Sequence, residues 1–219
     1  MKMRYPSVVL SALCVAAPLL GQGERLMPGD RFSERVAGFS WYSPAAASLG
    51  SIANRRVYLT GLRTERLFVA AGPFALGYTM ELVPLAIVER TGGNTEQCRR
   101  NPDWLTFTCR YDRSARVSVG AGGSPAGFKL YFNRGQLTRF YAAGGAGALI
   151  FSSDVPVEDS RRANFTFEYG VGMERSGVTV GYKFHHISNG GTRRLNPGLD
   201  ANIFYVGMVS RRRPASGTN

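Results

Sequence analysis

"ANFTFEYGVGM", residues 163–173, is the stretch whose reading decides the fold. Ala163, Phe165, Phe167, Tyr169, Val171 and Met173 alternate with Asn164, Thr166, Glu168, Gly170 and Gly172. A period of two is the mark of an extended strand, because successive side chains leave opposite faces. The next stretch, "VTVGYKFHHIS" (178–188), does the same. Val178, Val180, Tyr182, Phe184, His186 and Ser188 fall on one face, and Thr179, Gly181, Lys183, His185 and Ile187 on the other.

The pattern recurs along the chain. Phe74, Leu76, Tyr78, Met80 and Leu82 share one side of residues 74–88, and residues 128–132 alternate Phe, Lys, Leu, Tyr, Phe. The period-two template gives about eight strands, near 34–42, 55–69, 74–88, 125–133, 136–152, 163–174, 177–188 and 199–210. No helical period of useful length competes with them. Residues 43–48 and 91–114 read as connections. The run "AAGGAGA" (142–148) reads as close packing inside a strand, since no helix follows it as a phosphate-binding loop would require.

Composition supports this reading. The chain of 219 residues carries 27 glycines, 13 Phe and 10 Tyr with only 19% charged residues, a mix suited to β-structure. Net charge is +12 and almost all of it is arginine, the lysines being Lys2, Lys129 and Lys183. Such a basic chain raises nucleic acid as a partner. The arginines are scattered over loops and do not interleave with aromatics on one face, so no nucleic acid is expected.

Residues 1–23 read as a secretory signal: Lys2 and Arg4, then an apolar core, then Gly21-x-Gly23 as a cleavage site. Its removal leaves Cys98 and Cys109, and an even pair in an exported chain reads as a disulfide. The expected organisation is signal 1–23, lead 24–33, a barrel over 34–210 and a basic tail 211–219.

The faces opposite the aromatics hold Glu81, Lys129, Glu168, Lys183 and His185. In an all-β, eight-stranded antiparallel outer-membrane barrel these charges would pair in the lumen while the aromatics meet lipid. Several strands have the 9–11 residues a tilted membrane strand needs. A soluble sandwich or lipocalin-like barrel alternates too, with its apolar face inward.

Both histidines lie in 178–188. Parity sends His185 to the lumen and puts His186 on the outer face with Ser188, about 7 Å along the strand. With the N-terminus inside, a seventh strand runs outward and ends at Ser188 near the external surface. A polar pair on a lipid-facing wall is expensive if idle. Ser188 would be a nucleophile and His186 its base. Asp200, opening the next strand, would orient the imidazole, and Asn189 with the glycines after it could donate to an oxyanion. The bland reading is an interfacial histidine and a turn-starting serine before Asn189-Gly190. No metal site and no cofactor is expected. Two adjacent histidines facing opposite ways with two paired cysteines make no usual zinc set, and H-E-x-x-H, G-x-S-x-G and P-loop motifs are absent.

At "GYKFHHISNGGTRRLNPGLD" (181–200), followed by the strand "ANIFYVGMV", the chain resembles the lipid A 3-O-deacylase (PagL) family. "FALGYTMELVPLAIV" (74–88) is similar to an early strand of such proteins. The resemblance implies an eight-stranded outer-membrane serine esterase. Its reaction would release the 3-O-linked hydroxyacyl chain from lipid A. It implies Ser188 as nucleophile, His186 as base, Asp200 as acid, and Asn189 with Gly191 as oxyanion donors. The best-known members have Glu where this chain has Asp200, and the chain continues as "SRRRPASGTN" instead of ending on an aromatic. Arg193 and Arg194 flank the site and would suit the phosphates of lipid A, or form a solvated basic loop. The partners expected are lipopolysaccharide and the outer membrane, with a homodimer compatible. The rival readings are a non-catalytic barrel binding lipid or surface partners, and a soluble periplasmic lipid carrier.

Overall fold

The computed structural model describes residues 23–40, 49, 52, 54–91, 96–100, 107–111 and 115–212, and of 96–100 and 107–111 the backbone only. Of the expected signal 1–23 all but Gly23, and of the expected tail 211–219 all but Arg211 and Arg212, which end β10, lie outside the described residues. Eight strands close into an antiparallel barrel: β1 (Arg31–Phe39), β2 (Arg55–Ala71), β3 (Phe74–Arg90), β6 (Val117–Tyr131), β7 (Thr138–Val155), β8 (Arg161–Arg175), β9 (Val178–Ser188) and β10 (Leu199–Arg212). Each strand pairs with the next barrel strand in sequence, and β10 returns to β1. A short hairpin, β4 (Glu96–Arg100) with β5 (Phe107–Tyr111), rises between β3 and β6. That hairpin lies in a stretch expected to be a bare connection; its five-residue arms are too short to establish a period. Cys98 stands opposite Cys109 in its register, and their side chains lie outside the described residues.

The wall runs a few residues past the expected 34–210 at each end. β6 begins eight residues before the expected 125, and the reason is a bulge. Register slips between Gly123 and Ala126 where β6 meets β7. An extra residue shifts the phase of alternation, so the run "VSVGAGGSPAG" hides its periodicity. Pro125, at the bulge, tolerates the missing ladder bond there.

Following one row of opposed residues round the barrel measures its stagger. Arg212 pairs with Arg31, then Arg66, Tyr78, Phe128, Gly144, Tyr169, Phe184 and finally Asn202, back on β10 ten residues from the start. Eight strands with that stagger tilt by about 40° from the axis. Two-residue turns join β2 to β3 and β8 to β9, and six residues join β6 to β7. At the opposite end the connections after β1, β3 and β9 run to 15, 26 and 10 residues, only the five residues after β7 being short. Outer-membrane barrels keep short turns at the periplasmic end and long loops outside.

The barrel is inside-out. Phe165, Tyr169, Val171, Ile150, Phe204 and Met208 are all more than half exposed, while Glu34, Arg63, Glu81, Lys129, Lys183 and His185 are buried. An apolar belt of that extent suits a bilayer. Inside, Arg63 bonds Glu81 at 2.6 and 2.9 Å and Glu34 at 3.2 Å. Lys183 bonds Glu168 at 2.6 Å. Lys129 lies 3.6 Å from Glu65 and 4.1 Å above the Tyr141 ring centre. Close pairing of opposite charges offsets their loss of water. A Cβ at Gly170 would sit 2.7 and 2.8 Å from Lys183 Cα and Cβ, so glycine there makes room for the lysine. Towards the external end the lumen becomes apolar, with Val57, Leu59, Phe151, Ile187, Leu199 and Ile203 buried together. The other end is packed by Leu26, Phe32, Leu67, Tyr131 and Tyr141.

Candidate functional site

β9 carries its two histidines to opposite sides of the wall. His185 is 3% exposed and its Nδ1 lies 3.0 Å from Glu168 Oε2 inside the lumen. His186 stands directly opposite Asp200 across the β9–β10 pair. Its Nδ1 is 2.6 Å from Asp200 Oδ1. A carboxylate accepts only, so Nδ1 donates and Nε2 is left as the basic nitrogen. The aspartate is long enough because register, not reach, brings it alongside.

Asp200 is 1% exposed although it lies on the outward face. The backbone N–H of Leu49 donates to its other oxygen, Oδ2, at 3.3 Å, and Ile52 bridges Leu199 beside it. On its other side, His186 is opposed by Phe167 of β8, the two ring centres being 5.2 Å apart. Phe167 and Leu49 are the contributors that sequence reasoning missed. Phe167 was legible as an outward aromatic, but only the register sets it against the imidazole. Leu49 acts through its backbone and leaves no side-chain signal.

Ser188 ends β9 on the same outward face, half-buried and opposite Phe165. No hydrogen bond joins it to His186 among the described residues. Catalytic serine–histidine contacts are often long before substrate arrives. Between them, Ile187 turns inward and is fully buried, which pins the strand end so that its neighbours project outward.

The chain then folds back on itself. Asn189, 1% exposed, receives the Gly191 N–H on Oδ1 at 3.0 Å and donates Nδ2 to Leu195 O at 2.7 Å. Its own N–H donates to Asn196 Oδ1 at 3.0 Å. Gly190 and Gly191 take positive φ of 62° and 77°, a backbone region that glycine enters without strain. The two expected oxyanion donors therefore serve the turn itself in this conformation. Arg193 and Arg194 are exposed on the same loop. The loop is tied to β8 by Arg161, which donates to Thr192 O at 3.2 Å.

Among the described residues no cluster of three or more His, Cys, Asp or Glu could hold a metal. A buried carboxylate, an imidazole and a hydroxyl in line on one outward strand pair are the parts of a serine hydrolase. They sit at the external rim, beside the apolar belt.

A family model described as lipid A 3-O-deacylase (PagL) matches residues 88–209. No curated protein matches the chain. Among solved structures, the outer membrane enzyme PagL aligns with a TM-score of 0.53 at 16% identity, over 82% of this chain and 98% of that one. Ail of Yersinia pestis aligns at 0.39 and 11% identity, over 84% of this chain and 100% of that one. The outer membrane protein AlkL aligns at 0.37 and 8%, over 100% of both. The family match covers more than half of the sequence and takes in both histidines, Ser188 and Asp200: the chain belongs to the lipid A 3-O-deacylase (PagL) family.

Proposed function

We propose that this protein is an outer-membrane serine esterase that removes the 3-O-linked hydroxyacyl chain of lipid A. The observation that carries it is the His186–Asp200 bond on the outward face, with Ser188 one strand period away at the external rim. An ester of an outer-leaflet lipid meets that place from the side, without leaving the bilayer. A non-catalytic lipid-binding barrel would have no use for an aspartate buried against an imidazole on its lipid-facing wall.

In the first step Ser188 Oγ attacks the ester carbonyl carbon and its proton passes to His186 Nε2. Asp200 stabilises the imidazolium through Nδ1–H. The tetrahedral intermediate collapses with loss of the sugar oxygen, which takes the proton from His186. Water, deprotonated by the same imidazole, then attacks the acyl-serine and releases the hydroxy fatty acid. Asn189 and Gly191 remain the proposed oxyanion donors. Their use requires the Gly191–Asn189 bond to open, so that the Gly191 N–H and the second Nδ2 hydrogen of Asn189 turn to the developing charge. Arg193 and Arg194 are assigned to the phosphates of lipid A. Residues 1–23 are assigned to export and are absent from the mature protein.

Mass spectrometry of lipid A from cells producing the protein tests the proposal. The expected result is loss of one hydroxyacyl chain with the wild type and not with Ser188→Ala. Identical spectra from both, with the barrel folded in the outer membrane, would overturn it in favour of a binding barrel. Recovery in the soluble periplasmic fraction would favour a carrier.

A further inference from the structure

The lipid-facing wall is not apolar everywhere. At the end away from the candidate site, Arg31 of β1 stands directly opposite Arg212 of β10 on one side and Arg66 of β2 on the other. All three are exposed and share the outward face. Directly opposed residues have Cβ atoms about 5 Å apart, and like charges so placed destabilise a sheet. The row above is Ser210, Ser33 and Thr64, again opposed and exposed. One strand period further, Arg35 is exposed between Met208 and Leu62. Among the described residues none of these four arginine side chains has a hydrogen bond or ion pair. On β3 the outward residues beside Arg66 and Thr64 are Tyr78 and Met80, β9 reaches only to Val178 opposite Met208, and the acidic side chains at this end, Glu24 and Asp30, bond Arg211.

The level of the patch follows from the barrel geometry. A strand tilted by about 40° descends about 30 Å from Asp200 to Arg212. The opposed row climbs about 3 Å per strand, so the three arginines lie within about 6 Å of one level. The apolar band of such barrels is about 25 Å tall. With Ser188 and Asp200 at the external interface, the arginine row falls at the opposite one. Arg66 also flanks the exposed Tyr78–Phe128 ring pair, as an interfacial aromatic girdle would. Three guanidinium forks with three hydroxyls behind them match the oxygens of a phosphodiester. A second copy of the same face would bring cations against cations.

We propose that this patch binds the phosphate of an anionic phospholipid in the periplasmic leaflet, of the phosphatidylglycerol type. The proposal shares with the deacylase reading only the placement of the barrel across the outer membrane, and its readout is independent of ester hydrolysis. The hydroxyl row takes the remaining phosphate oxygens, and Arg35 bends towards the same headgroup while its stem stays in the apolar band.

The test is native mass spectrometry of the full chain in neutral detergent, titrated with phosphatidylglycerol and, separately, phosphatidylethanolamine. Phosphatidylglycerol should be retained preferentially. The triple variant Arg31→Ser, Arg66→Ser, Arg212→Ser should weaken that retention on the order of a hundredfold, while Arg31→Lys, Arg66→Lys, Arg212→Lys keeps most of it. Heat-dependent mobility on gels confirms that each variant is a closed barrel; if the serine variant does not fold, the three single substitutions are read instead. Equal retention of the two phospholipids, or undiminished phosphatidylglycerol on the folded serine variants, overturns the proposal. Displacement of phosphatidylglycerol by equimolar lipid A also overturns it, because the patch would then serve the other leaflet's lipid.

Discussion

His185 and His186 are neighbours in sequence and belong to different environments. His185 points into a lumen of charges, bonded through Nδ1 to Glu168, with Nε2 buried and, among the described residues, without a partner. His186 points out of the wall, bonded through Nδ1 to an aspartate that the next strand delivers in register. Each imidazole has one nitrogen on a carboxylate. What differs is the fate of the other nitrogen. His185 Nε2 is sealed inside the barrel, whereas His186 is open to the bilayer side where a substrate ester can come. Strand parity alone makes one a packing element and the other a candidate base.

The sharpest way to break this contrast is to remove chemistry from the outward face only. Ser188→Ala and His186→Asn should each lower kcat for deacylation by about 10⁴-fold or more, as loss of a nucleophile or its base does in serine hydrolases. His185→Asn should leave kcat within about threefold, and cost stability only on the scale of a lost buried hydrogen bond, about 1–3 kcal/mol. Purified barrels assayed on lipid A by mass spectrometry, with urea unfolding in parallel, give both numbers. A His185 variant as inactive as the His186 variant would mean the parity assignment does not govern function.

Asp200 sharpens the outward half. Asp200→Asn keeps the shape but offers His186 either an amide N–H or a weaker oxygen, which removes charge support and disturbs the tautomer. A loss of about 10²–10⁴-fold in kcat is expected. Asp200→Glu should stay within about tenfold of wild type if the register leaves room for one more methylene. A kcat unaffected by Asp200→Asn would move the orienting role elsewhere.

Much of this was legible in the sequence, for definite reasons. Residues 163–173 and 178–188 alternate without interruption, so their faces, and the separation of His185 from His186, follow from parity. Asp200 was placed beside His186 by hairpin logic, and the register sets the two directly opposite. The 117–124 part of β6 was hidden because a bulge and a glycine run erase the alternation. The β4–β5 hairpin was hidden because its arms are shorter than a readable period. Of the site, the Leu49 contact to Asp200 could not be read, since a backbone N–H has no sequence identity. Nor could the self-bonded state of Asn189 and Gly191, which depends on how the 189–198 loop closes.

The inward half breaks differently. Glu168 accepts from Lys183 at 2.6 Å, lies 3.0 Å from His185 and 3.8 Å from Arg63. Glu168→Gln leaves the Lys183 ammonium buried with Glu81 as its remaining carboxylate, at 3.9 Å. Breaking a buried pair by removing one partner costs about 3–5 kcal/mol. Urea midpoints should fall accordingly, while the fraction that remains folded keeps its kcat, because nothing in this network reaches the outer face.

Arg193 and Arg194 give the smallest expected effect. Both are exposed on the loop that follows Ser188, so water and salt screen whatever they attract. If they dock a phosphate of lipid A, Arg193→Ala with Arg194→Ala should raise KM about three- to tenfold and leave kcat within about twofold, because binding lost equally from ground and transition states changes KM alone. The wild-type KM should rise with ionic strength and the double variant's should not. A solvated loop with no substrate contact gives no KM change and no difference in salt response. A fall in kcat instead would mean that the arginines hold the 189–198 loop in shape, joining Arg161 and its bond to Thr192 O as supports of the turn after Ser188.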